Sequence, residues 1–316
     1  MSTAESHLAP PGTASAAVKV AGLTKRFGVR TALAGLTLSV GAGEIVGLLG
    51  ANGGGKTTTL RILAGLLAPD GGCGTVLGYD LGRERTAIRG RVGYLAQGFS
   101  LYASLSVREN LRFRADVFAL PDSRDAVAAV VNAFGLESVE KLTLQQLSAG
   151  RVRLVQLAAA VVHAPPLVLL DEPTAGMDAV VRESVWRQIA RLAGRGTAVV
   201  LSTHDLADAS RCGKIVWLNE GISRHCGAPS EAAHATVASV LLIRGADLIG
   251  LIEPLQALPG VIACYPKADR LRVIVAPGAA SRICQLPLVK DCAVETVAPT
   301  LEDAVLEWST QGAQEC

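Results

Sequence analysis

The chain has 316 residues, half of them hydrophobic and 18% charged, which gives room for about two domains with a sizeable core and excludes a globally disordered chain. Thirty Lys plus Arg stand against 28 Asp plus Glu, and a net charge of +2 lends no support to a polybasic membrane anchor or to nucleic acid wrapped on the surface. Aromatic residues make up only 4%, too few for a base-stacking surface, so no direct nucleic-acid binding is expected.

Met1–Ala17 is small, polar and proline-bearing, reads as a flexible tail, and has no apolar run of the kind a secretory signal needs. Val18–Val40 alternates apolar and polar residues around FGVR, a strand–turn–strand pattern. EIVGLL, from Glu44 to Leu49, reads as a buried strand, followed by a helix from Lys56 to about Leu67 that Pro69 and Gly71 end. A further strand lies within Ile88–Leu95. Helical spacing then dominates an insert over 98–164, in Val107–Phe118, Asp122–Phe134 and Gly150–His163. Parallel-sheet runs resume at Leu167–Leu170 and Ala198–Ser202, and KIVWLNEGISR adds a strand pair that closes the domain near Gly227. The expectation is an α/β domain over 18–227 with a helical insert.

The segment 237–316 reads as a separate accessory domain. Strands at Val237–Ile243, Val261–Tyr265, Leu271–Ala276 and Ala293–Val297 alternate with helices at Asp247–Leu258 and Gly278–Cys284. That β-α-β-β-α-β order matches the ferredoxin-like split arrangement, with a last helix at Leu301–Trp308. The longest apolar stretch, Val155–Leu170, is broken by His163, Pro165 and Pro166, so no segment reaches the roughly 20 apolar residues of a membrane span. The seven cysteines are scattered without a CxxC pair, as in a reduced cytosolic protein.

The strongest chemical signal is Gly50-Ala-Asn-Gly-Gly-Gly-Lys-Thr-Thr58, which fits GxxxxGK[ST] between a predicted strand and a predicted helix. In such a loop the backbone N–H groups of Gly50, Ala51, Asn52, Gly53, Gly54, Gly55, Thr57 and Thr58 can wrap phosphate at a helix N-terminus. Lys56 can reach the β- and γ-phosphates of ATP, and the Thr57 hydroxyl can ligate Mg²⁺. The second signal is LVLLDE, Leu167–Glu172, in which a buried strand delivers two carboxylates at its C-terminal end. Asp171 is placed to hold Mg²⁺ directly or through water, and Glu172 to polarise an attacking water. An acidic helix-capping pair is the plain alternative, which the phosphate loop makes the weaker one.

With these motifs in order, the chain resembles the nucleotide-binding subunits of ABC transporters over Val18 to about Gly227. Leu147-Ser-Ala-Gly-Arg151 resembles the family signature LSGGQ, about 20 residues before the acidic pair. The resemblance implies that Phe27 stacks on adenine and that Gln97, in YLAQG, touches Mg²⁺ and senses the membrane partner. It also implies that Asp178, in AGMD, faces the opposite subunit and that His204, in LSTHD, is the switch histidine. Ser148 and Gly150 would contact the γ-phosphate held by a second subunit. Taken singly, Phe27 would be a core residue, Gln97 a surface residue and His204 a loop or core histidine. The signature departs from the family at Ala149 and Arg151, and Leu154 and Ala159 fall where arginines are common, which points to slower turnover or reliance on a partner.

Pro299-Thr-Leu-Glu-Asp-Ala-Val-Leu-Glu307 resembles the PSLEDVF tail of ATPases that serve ABC-2 type exporters, and GFSLYASLSVRENL, 98–111, resembles the same group. The implied function is an ATPase subunit, peripheral on the cytoplasmic face of a bacterial inner membrane. Two copies, or one copy and a related subunit, would close around ATP and Mg²⁺ and drive a separate ABC-2 type permease. The rival expectations are a non-transport ABC ATPase acting on ribosomes, and a regulatory ATP-binding module with weak hydrolysis.

Overall fold

The computed structural model describes residues 16–98, 101–236 and 238–311. Most of the expected tail, Phe99, Ser100 and Val237 therefore lie outside the described residues. Ala17 is already part of the ordered chain, its carbonyl accepting from the Leu77 N–H at 2.8 Å. The chain forms two compact units. One holds the described residues up to Val46, with Gly55–Thr203 and Glu220–Ile222; the other holds Gly47–Gly54, His204–Asn219 and the described residues from Ser223 onward.

The first unit opens with a hairpin of β1 (Val18–Phe27) and β2 (Arg30–Val40), whose last pair is Phe27 with Arg30. Next come β3 (Ile45–Leu49), of which Gly47–Leu49 belong to the second unit, then α1 (Lys56–Leu63), β4 (Gly71–Val76), β5 (Tyr79–Asp80), α2 (Arg85–Arg89) and β6 (Val92–Leu95). The insert contributes α3 (Val107–Val117), α4 (Ser123–Phe134) and α5 (Ala149–Val161), and β7 (Leu167–Asp171), α6 (Ala179–Gly194) and β8 (Ala198–Thr203) complete the unit. One sheet has the order β2-β1-β4-β5, and in the other β3, β8, β7 and β6 run side by side. The pairs β6–β7 and β7–β8 are parallel, and every residue of β7 and β8 is buried. Such two-sided burial is what unbroken apolar runs such as LVLL and AVVL require.

The expected strands and helices are present in this unit, with one helix shortened and with β4, β5 and α2 added in a stretch where no element was expected. Helix α1 stops at Leu63, before Pro69, because the N–H groups of Leu66 and Leu67 both turn back to the Arg61 carbonyl. Strand β4 starts at Gly71, where a helix stop was expected. The insert is locally well specified. Ser106 and Glu109 form a reciprocal capping box at the start of α3. Asn110, fully buried, accepts from the Tyr102 N–H and donates to the carbonyls of Tyr102, Leu105 and Ser106, which fixes the approach to α3.

In the second unit come α7 (Leu206–Ala209), β9 (Lys214–Asn219), β10 (Ile222–Gly227) and α8 (Pro229–Ala235). Strand β9 lies between β10 and the end of β3. After them follow β11 (Ser239–Arg244), α9 (Ile252–Gln256), β12 (Val261–Lys267), β13 (Arg270–Val275), α10 (Ala280–Cys284), β14 (Ala293–Val297) and α11 (Leu301–Gln311). The four strands β11 to β14 make an antiparallel sheet of order β12-β13-β11-β14. Helix α9 is shorter than expected. The Gly250 N–H closes a turn on the Asp247 carboxylate, and Pro254, which has no N–H, is tolerated only in a first turn.

Helix α11 is tied down by a buried ion pair. The Arg272 guanidinium donates to both oxygens of Asp303, at 2.6 Å from Nη2 to Oδ2 and 2.9 Å from Nε to Oδ1. The Tyr265 hydroxyl adds a bond to Asp303 Oδ1 at 2.8 Å, and Asp303 Oδ2 caps the Thr300 N–H at 2.7 Å. At the far end of the helix, Trp308 stacks on His225 with centroids 4.9 Å apart and lies 6.2 Å from Trp217. Burial works against the Asp303 carboxylate, but the donors from Arg272, Thr300 and Tyr265 outweigh it and hold the carboxyl below its ordinary range. A carboxyl depressed on folding adds stability that is present above its unfolded value, about 3.9, and is lost as the pH falls through the lower folded value. Asp303→Asn is therefore expected to destabilise the unit by about 3–5 kcal/mol, since it leaves Arg272 buried and unpaired. Urea unfolding at neutral pH checks this, and a loss under about 1 kcal/mol would mean that desolvation cancels the pair.

Candidate functional site

The phosphate-loop motif runs from the end of β3 into α1. Gly50–Gly54 turns back on itself, the Gly54 N–H donating to the Ala51 carbonyl at 3.2 Å. Gly55 takes φ +102°, and a Cβ there would lie 2.5 Å from the Ala32 carbonyl oxygen, so only glycine fits. Gly55 gives α1 no side-chain cap, so the N–H groups of its first turn are not claimed by a capping side chain. Thr58 lies in that turn. Lys56 is 95% buried at the helix start. Burial pulls its ammonium below the ordinary lysine range, while the carboxylates of Glu172 and Asp171 act in the opposite direction.

The two carboxylates stand at the end of β7, as its pattern predicts. Asp171 is buried, and its Oδ1 accepts from the Thr57 hydroxyl at 3.1 Å and from the Ser202 hydroxyl at 2.6 Å. Its other oxygen, Oδ2, is buried without a hydrogen-bond partner among the described residues. Glu172 follows at φ +48°, a left-handed conformation that a glutamate seldom adopts. Its N–H donates to the Ser202 hydroxyl at 2.8 Å, and Gln97 Nε2 donates to its Oε2 at 3.4 Å. The structure thus brings Thr57, Gln97, Asp171 and Glu172 together within the first unit.

A cleft of about 650 Å³ in the same unit collects Gln97, Ser148, Gly150, Glu172 and Asp178 along its walls. Ser148 occupies the N-cap position of α5, yet its hydroxyl does not cap the helix. Asp178 has a structural duty as well, since its Oδ1 accepts from the N–H groups of Val180 and Val181 at the start of α6. Phe27 is half exposed at the hairpin end, with the Lys25 ammonium 5.7 Å from its ring centre. Lys25 is itself held by Asp70 at 2.7 Å. His204 follows directly on β8, where the chain enters the second unit, and is exposed.

Three neighbours of these residues escape the sequence reading. Ser202 bridges Asp171 and the Glu172 backbone; the only signal is a hydroxyl residue at the end of an apolar strand that pairs with Asp171 in register. Arg153 and Gln156, on α5, meet through a 3.1 Å bond, and Arg153 reaches the backbone around the carboxylates. Two polar side chains, Arg153 and Gln156, one turn apart just ahead of the buried apolar run Leu157–Val161 are the corresponding signal.

Comparison with known proteins agrees with this geometry. A family model described as ABC transporter matches residues 33–175. The probable multidrug ABC transporter ATP-binding protein YbhF of Escherichia coli (strain K12) is 37% identical over 211 residues, which are 66% of this chain and 36% of that protein. The chain thus spans about a third of the length of that relative. The Nod factor export ATP-binding protein I of Paraburkholderia xenovorans (strain LB400) is 35% identical over 247 residues, 77% of this chain and 81% of that protein. Among solved structures, the dimeric post-hydrolysis state of the ATP-binding cassette MJ0796, bound to ADP and Pi, superposes with a TM-score of 0.61 at 27% identity, covering 67% of this chain and 98% of that one. A phosphate-loop motif, a buried strand that ends at Asp171 just before Glu172, and a relative matched over most of its length lead to one assignment: the chain belongs to the ABC transporter family, among its ATP-binding proteins.

Proposed function

We propose that this chain binds and hydrolyses ATP and thereby powers an ABC-2 type exporter whose permease is a separate protein. The observation that carries the reading is the cleft that gathers Gln97, Glu172, Asp178 and the signature residues Ser148 and Gly150, next to the Thr57–Asp171 pair. The names of the relatives, multidrug and Nod factor export ATP-binding proteins, support the transport assignment. No helix among the described residues is long and apolar enough to cross a membrane. In this reading the chain is a peripheral subunit on the cytoplasmic face of the inner membrane, held there by its permease.

In this reading residues 18–227 form the nucleotide-binding domain, and 237–316 an accessory domain of ferredoxin-like type used for pairing or docking. The loop from Gly50 to Thr58 wraps the phosphates with its N–H groups, and Phe27 stacks on adenine. Lys56 balances charge on the β- and γ-phosphates. Glu172 accepts the proton of the attacking water, and His204 and Gln97 hold that water and the γ-phosphate in line. Ser148 and Gly150, at the start of α5, meet the γ-phosphate held by a second subunit, with Asp178 at the same junction. The oxygen donors Thr57 Oγ1 and Asp171, whose Oδ2 is buried without a hydrogen-bond partner among the described residues, fit Mg²⁺, with Gln97 as a further ligand. No cluster of three His, Cys, Asp or Glu occurs among the described residues, so the remaining ligands would come from phosphate and water. Bound there, Mg²⁺ supplies positive charge against the β- and γ-oxygens.

The test is purification of the tagged full chain from membranes, followed by an ATPase assay. A polytopic membrane protein is expected to co-purify, with ATP turnover that EDTA abolishes. Co-sedimentation with ribosomes in place of a membrane partner would favour the non-transport reading. ATP binding without turnover would favour a regulatory module.

A further inference from the structure

The Glu172 backbone sits in a left-handed conformation that costs on the order of 1 kcal/mol or more for a residue with a Cβ, and it persists only if its surroundings over-determine it. One side chain reaches across the whole turn. Arg153 Nη2 donates to the carbonyls of Asp171 and Glu172, both at 2.8 Å, and Nε donates to the Pro173 carbonyl at 3.2 Å. Three consecutive carbonyls across the turn are therefore gripped by one planar guanidinium. Its Nη1 donates to the Ala96 carbonyl at 3.1 Å, one residue before Gln97, and to Gln156 Oε1 at 3.1 Å. From the far side, Ser202 holds the Glu172 N–H.

We propose that Arg153 is a positioning residue for ATP hydrolysis, clamping the strained Asp171–Pro173 turn and the Ala96 carbonyl so that Glu172 and Gln97 face one point. The proposal rests on the reading of Glu172 as the general base. The planar fork matters more than the charge here. A lysine offers one ammonium in place of a rigid set of donors, so it can serve one or two of the four carbonyls but not all. The Arg153 donors all go to backbone carbonyls and to Gln156, which leaves nucleotide binding to the phosphate loop. Removal should therefore impair turnover and spare affinity.

The experiment compares Arg153→Met and Arg153→Lys in the full chain, in the wild-type and the Glu172→Gln backgrounds, reading ATP affinity and kcat separately. Expected for R153M is ATP affinity within about twofold of wild type and kcat lowered roughly ten- to a hundredfold, the scale of a displaced reacting group. R153K should recover part of that loss. In the E172Q background, where there is no base left to aim, the fold loss from R153M should be several times smaller than in the wild-type background, the remainder coming from Gln97. A merely structural role predicts the same fold loss in both backgrounds, and that result, or wild-type kcat in R153M, overturns the proposal. If R153M does not fold, R153K decides: it must show reduced kcat at unchanged affinity, and a wild-type kcat overturns the proposal. E172Q turning over like wild type removes the base assignment and this inference together, whereas equal losses in both backgrounds remove this inference alone.

Discussion

Replacing Glu172 by Gln is expected to lower ATP turnover by roughly 10²–10⁴, the usual contribution of a positioned general base. Gln keeps the shape of the side chain and removes the group that accepts the proton. The contacts that fix the backbone at this position, from Ser202 and Arg153, involve the Glu172 N–H and carbonyl and survive the exchange. Gln97 donates to Glu172 Oε2 at 3.4 Å, and an amide oxygen can still accept that bond. ATP binding should therefore persist while the chemical step stalls, and the ATP-bound dimer should accumulate. Light-scattering mass in ATP against ADP measures the dimer, and a phosphate-release assay measures turnover. A Gln variant that hydrolyses ATP at the wild-type rate would take the catalytic role away from this residue.

Replacing Lys56 by Ala should lower turnover by roughly 10²–10³ and should also weaken ATP binding. A charge-assisted hydrogen bond to phosphate contributes about 1.5–3 kcal/mol, or roughly ten- to a hundredfold in affinity. The structure adds a reason for a large effect. Lys56 is almost fully buried, and burial already disfavours its charge, so the opposing carboxylates of Asp171 and Glu172 sustain it there. Without the cation, those two carboxylates face the phosphates with less positive charge between them. Binding of a fluorescent ATP analogue and steady-state turnover, with contaminating ATPases excluded, separate the two losses. Near-normal turnover would remove the phosphate-loop assignment.

Much of this architecture is legible in the sequence because each element carries a local physical signal. EIVGLL before GANGGGKTT, and LVLL before two carboxylates, declare buried strands by their length and their breakers. Strand β4 declares nothing of the kind. Its sequence GGCGTV is poor in β-formers, and it pairs with β1 because a bare backbone is needed there: a Cβ on Gly74 would lie 2.3 Å from the Lys19 carbonyl oxygen. Helix α9 was overextended because apolar spacing over Asp247–Leu258 says nothing of the turn that Asp247 and Gly250 make. At the site, the residues proposed to meet phosphate or water stand in compact motifs and can be read directly. Arg153 and Ser202 act through backbone groups about 20 and 30 residues away in the chain, and such pairings leave no mark on local composition.

The pairing of Trp308 with Trp217 also gives the second unit a built-in optical reporter. The chain has three tryptophans, and two of them lie with their rings 6.2 Å apart, close enough for the indoles to exchange excitation energy. The imidazole of His225 stacks on one member of the pair, Trp308, and is a further ring neighbour that it loses when the helix leaves. Release of the last helix would separate the two indoles, expose Trp217 to water and shift its emission to longer wavelength. The seating of that helix can therefore be followed in real time on the unlabelled protein, with Trp186 as the only other emitter of its kind.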